Sequence, residues 1–117
     1  MSLKIEPEHL RAIYTMYRKL PPFNKWDLPE PSRIEFLVDD DDEIAGELTV
    51  EPITLRVSTA HQSHFANICK TVAHEMIHLK LYIQGKTNFD KHDNTFQLKF
   101  HSTPFCDLRR ILIVLDQ

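Results

Sequence analysis

The chain has 117 residues, 42% of them hydrophobic and 26% charged, with 14 Lys and Arg against 17 Asp and Glu for a formal net charge of -3. That length suits one domain over residues 1–117 with a modest core, and the composition excludes wholesale disorder and fibrous repeats. The Lys and Arg residues are scattered, so composition does not support the extensive phosphate neutralisation that drives nucleic-acid binding.

No apolar run approaches the roughly 18–20 residues of a membrane-spanning helix. Lys4, Glu6, Glu8, Arg11 and Arg18 interrupt the region where a signal peptide would be apolar,. A cytoplasmic protein without a membrane partner is expected, acting as a monomer. Cys69 and Cys106 are too few for a disulfide framework and do not pair as in a zinc ribbon; both are expected as buried thiols.

From Glu8 to Leu20 the apolar residues Leu10, Ile13, Tyr14, Met16, Tyr17 and Leu20 recur at helical spacing, with Pro7 suited to the helix start and Pro21-Pro22 to its end,. Pro21 to Pro31 holds four prolines with Phe23 and Trp26. It reads as an irregular segment pinned by its aromatics, and its prolines argue against a helix. Three strands are expected over Arg33–Val38, Ile44–Val50 and Ile53–Ser58. The acidic run Asp39–Glu43 then forms the turn between the first two; it lacks the central Gly of an EF-hand loop and reads as a solvated loop.

The longest helical pattern runs from about Phe65 to Ile83. Phe65, Cys69, Val72, Met76, Leu79 and Ile83 form one apolar stripe, while His74, His78 and Tyr82 share another face,. Ala73, Ile77 and Leu81 make a third side partly apolar, which predicts a central helix contacted from several directions. Gly85 suits its C-terminal cap. A short helix is expected over about Asp93–Phe100, and a last one after Pro104 from Phe105, Leu108, Ile111, Leu112 and Leu115. The predicted fold is α+β: a sheet of about three strands packed on the long helix, with helices at both ends.

His74-Glu75-Met76-Ile77-His78 is the pattern His-Glu-x-x-His. On a helix its two histidines lie one turn apart and reach the same cation. Glu75, about 100° round the helix, is placed to hold a water activated by the metal instead of the metal itself. A catalytic zinc takes three protein ligands and keeps one position open. No Glu follows Glu75, and Gln84 stands where a third His six residues after His78 would be,. His92, His101, Asp90 and Asp93 remain, and His92, at a loop-to-helix junction, is the best placed.

This motif followed by His92-Asp93-Asn94-Thr95-Phe96 resembles the SprT-like (Spartan-type) zinc metallopeptidases, most specifically over Phe65–His101. The resemblance implies a zincin-like fold, His74, His78 and His92 as zinc ligands, Glu75 as general base, Phe96 packed behind the third ligand and a protein or peptide substrate. Asp93 stands where that family usually has Gly, which implies either a different backbone there or a carboxylate beside the third ligand. The family's C-terminal zinc ribbon is not expected, for want of cysteine pairs, so recruitment to DNA through such a module is not implied.

Tyr82 and His101 are eligible to assist a developing oxyanion. His61 and His64 are read as capping or surface residues. An exposed strand within Glu47–Ser58 is the candidate for aligning an extended substrate. The principal alternative is a non-catalytic zinc-binding interaction module, against which Glu75 speaks because a closed structural site needs no such carboxylate.

Overall fold

The computed structural model describes residues 4–60 and 65–85. The elements expected over Asp93–Phe100 and after Pro104, together with His61, His64, His92, His101, Asp90, Asp93, Phe96 and Cys106, lie outside the described residues.

Helix α1 covers Pro7–Arg18, with Pro7 at its first position as its locked φ favours,. The Glu6 backbone N–H donates to His9 Nδ1 at 2.9 Å, tying down the N-terminus. Leu10, Ile13, Tyr14, Met16 and Tyr17 are buried, as their helical spacing predicts. The proline-rich segment that follows contains two short 3-10 turns, Phe23–Lys25 and Pro31–Arg33, a departure from the helix-free expectation. A 3-10 turn needs so few backbone donors that flanking prolines do not forbid it.

Phe23 and Trp26 enter the core, their rings edge to face at 4.9 Å. The segment's carbonyls are claimed by side chains of both helices. Tyr14 Oη donates to Pro29 O at 2.6 Å, Arg18 Nε to Leu28 O at 3.0 Å, and Lys80 Nζ to Trp26 O at 3.1 Å. Prolines remove donors but keep acceptors, so such a segment depends on donors brought to it.

Strands β1 (Glu35–Asp39), β2 (Gly46–Thr49) and β3 (Thr54–Ser58) form a mixed sheet in the order β1-β3-β2. β3 runs parallel to β1 and antiparallel to β2. The three strands fall where the alternation puts them, but β1 and β2 are not neighbours. Two features account for β3 taking the centre. It is the strand buried on both faces, with Thr54, Leu55, Val57 and Ser58 all inside, and its Arg56 gathers carboxylates from both sides. Arg56 pairs with Asp39, with Asp41 at 2.8 Å and with Glu47 at 3.7 Å. Asp39 and Asp41 are therefore not merely solvated loop residues, and the hydrogen bond from the Glu43 backbone N–H, with the Arg56 guanidinium second, holds the Asp41 carboxyl below its ordinary range.

The central position of β3 also corrects the expected docking strand. Within Glu47–Ser58, only the β2 part lies at an edge.

Phe36, Leu55 and Leu48 share one face through their pairing, and both helices pack on it. Helix α2 (Phe65–Ile83) is the central helix. Cys69, Val72, Met76 and Leu79 of the predicted stripe are buried, as are Ala73, Ile77 and Leu81 of its third side. Phe65 and Ile83, at the two ends, are exposed. Burial pushes the Cys69 thiol up to about 12, so it is a packing residue,. Among the described residues no helix is long and apolar enough to cross a membrane.

Tyr14→Phe should remove the hydrogen bond to Pro29 and leave that carbonyl short of a donor, destabilising the protein by about 1–2 kcal/mol in urea unfolding. An unchanged midpoint would mean that this hydrogen bond does not fasten the segment.

Candidate metal centre

His74 and His78 project from successive turns of α2. Their Nε2 atoms stand 3.2 Å apart, with ring planes at 67° and centroids at 4.9 Å. Two nitrogens each about 2.0–2.1 Å from one tetrahedral zinc ion lie about 3.3–3.4 Å apart, a spacing close to that of this pair, whose rings are within hydrogen-bond distance of each other,. His78 is buried and His74 half-buried, which leaves the pair a route for a ligand to approach. Among the described residues no third His, Cys, Asp or Glu completes a metal-binding group with them. His92, expected as the third ligand, and the alternatives His101, Asp90 and Asp93 lie outside those residues.

Glu75 reaches towards β2, its Oε2 lying close to position 46, and lines one cleft with His78,. It is only 4% exposed and accepts no hydrogen bond from any described residue. Burial, reinforced by the negative charge of Glu47, pushes its carboxyl up to about 8. A carboxylate is costly to bury without compensation, so the site as described favours a protonated Glu75. A dication in the adjoining cleft would draw it back to the anion.

That cleft has a volume of about 380 Å³ and is lined by Glu47, Leu48, Thr49, Glu75 and His78. One wall is thus the helix that carries the motif and the other is the edge strand β2. The walls come together because position 46 is glycine. A Cβ there would stand 2.6 Å from Thr71 Cγ2, 3.1 Å from Arg56 O and 3.1 Å from Glu75 Oε2.

β2 contributes backbone as well as side chains. Ser58 N–H donates to Ala45 O at 2.8 Å, and the alternation of an antiparallel ladder then directs the N–H and C=O of Glu47 and Thr49 towards β3,. Those of Gly46 and Leu48 point out along the open edge, where no described residue bonds them.

Motif spacing singles out His74, Glu75 and His78; it does not single out Glu47, which lines the cleft with Glu75 and His78, or Gly46, against which Glu75 packs. One signal for Gly46 was present: a chain with only two glycines places one inside a strand pattern, which marks close backbone approach,.

The SprT-like family model matches residues 23–107, a span that includes the whole sheet and the motif helix. Comparisons with curated proteins and with solved structures gave no match.

Gly46→Ala should push β2 away from α2 and cost about 1–3 kcal/mol in thermal or urea unfolding. Thr71→Ser, which removes the nearest obstructing methyl, should recover part of that loss. A neutral Gly46→Ala would show that the two walls have room to spare.

Proposed function

The chain belongs to the SprT-like family, and on that premise we propose that it is a zinc-dependent metallopeptidase with a zincin-like site. The observation that carries this reading is Glu75, a buried carboxyl with no hydrogen bond among the described residues, lining one cleft with His78 of a metal-spaced histidine pair. A residue whose only task was packing would have no reason to retain an ionisable group there.

His74 and His78 would hold the ion, with His92 as the proposed third ligand. Zinc held there would supply Lewis acidity and an acidified water. Glu75 would serve as the general base that accepts a proton beside the scissile carbonyl and as the acid that returns it to the departing amine nitrogen. Its burial keeps bulk water from competing for the proton. The outward N–H and C=O of Gly46 and Leu48 are suited to pair with an extended peptide, laying its backbone across the cleft,. The substrate is therefore a protein or peptide segment able to enter as a strand.

Metal analysis and turnover on the full chain test the reading together. Wild type should carry one zinc, lost in His74→Ala and His78→Ala and at least tenfold weaker in His92→Ala. Glu75→Gln should keep its zinc while losing turnover of an unstructured protein such as casein by about 100-fold or more. Zinc binding indifferent to His92 would discard that ligand, and undiminished turnover in Glu75→Gln would discard the general base.

A further inference from the structure

Glu47 borders the cleft as a residue of the edge strand, its side chain lies with Arg56 on the face of the sheet away from the helices, and the charges around it do not balance. Its cationic neighbour Arg56, 3.7 Å away, also pairs with Asp39 and, at 2.8 Å, with Asp41. Three carboxylates thus share one guanidinium, and Glu47 is the most distant of the three. Its side chain remains 45% exposed.

The register determines what would lie beside it. Gly46 and Leu48 direct their side-chain positions towards the helices, whereas Glu47 pairs with Arg56 on the opposite face. A peptide strand added at the edge of β2 that no described residue pairs would hydrogen-bond to Gly46 and Leu48. Its side chains would alternate in the same way, one set towards Glu75 and His78 and the next set beside Glu47.

The buried Glu75 carboxyl, 4% exposed and without a hydrogen bond among the described residues, lines the same cleft. It marks the cleft as a place a ligand enters, independently of the surface charge.

We propose that Glu47 is a specificity-determining residue, selecting an extended peptide that carries a Lys or Arg side chain at the position paired beside β2 residue 47. The inference rests on the peptidase reading for its substrate. A cationic side chain there would complete the charge pairing left unfinished by Arg56, and an acidic one would add a fourth carboxylate.

The test uses zinc-loaded full-length protein and a set of internally quenched peptides that differ only in bearing Lys, norleucine or Glu at each successive position. Wild type should prefer Lys over Glu about three- to fivefold in kcat/KM at one position. The preference should shrink in Glu47→Gln and invert towards Glu in Glu47→Lys, an inversion that general destabilisation cannot produce. Binding of the same peptides to zinc-loaded Glu75→Gln, followed by fluorescence anisotropy, gives a readout independent of turnover.

Cleavage with the same Lys preference in wild type and Glu47→Lys would overturn the role of Glu47 and leave the peptidase reading standing. Charge-selective binding that follows Glu47 without any turnover in wild type would overturn the peptidase reading and keep the selectivity. Neither binding nor turnover of any peptide would overturn both.

Discussion

The distance between β2 and α2 governs almost everything else in this protein, and a missing side chain sets it. With hydrogen at position 46, Thr71 and Glu75 can lie directly against the strand backbone. That contact buries Glu75, shapes the cleft and places β2 alongside His78. A helix and a sheet held apart by larger side chains would still form a core, but the carboxyl and the strand would no longer line one cleft.

Around this contact the protein sets two electrostatic regimes side by side. On the helix face of the sheet, burial and the negative charge of Glu47 raise the Glu75 carboxyl above its ordinary range,. On the opposite face, Arg56 gathers the acidic loop and the edge strand into one ion cluster. The same arginine explains the strand order, since only a central β3 brings it within reach of Asp39 and Asp41 on one side and Glu47 on the other.

Much of this was legible in the sequence wherever the signal was local. Pro7, the spacing from Leu10 to Tyr17 and the stripe from Cys69 to Leu79 specify two helices because helical periodicity depends only on nearby residues. The placement of His74, Glu75 and His78 on one helix was legible for the same reason. The strand order was not, because alternation tells which face a residue occupies and is silent about which strand lies next to it. The edge position of Glu47 depends on that order. The burial of Glu75 depends on what packs over it, and Gly46 becomes informative only once α2 is known to cross it.

The carbonyls of Trp26, Leu28 and Pro29 are held by Lys80, Arg18 and Tyr14, donors from two different helices. This makes the proline-rich segment a clasp between α1 and the motif helix, with its instructions written outside it. Lengthening the segment by even a few residues would move three acceptors out of reach at once. A surface stretch that looks like an ordinary place for an insertion is therefore one of the least permissive parts of the chain.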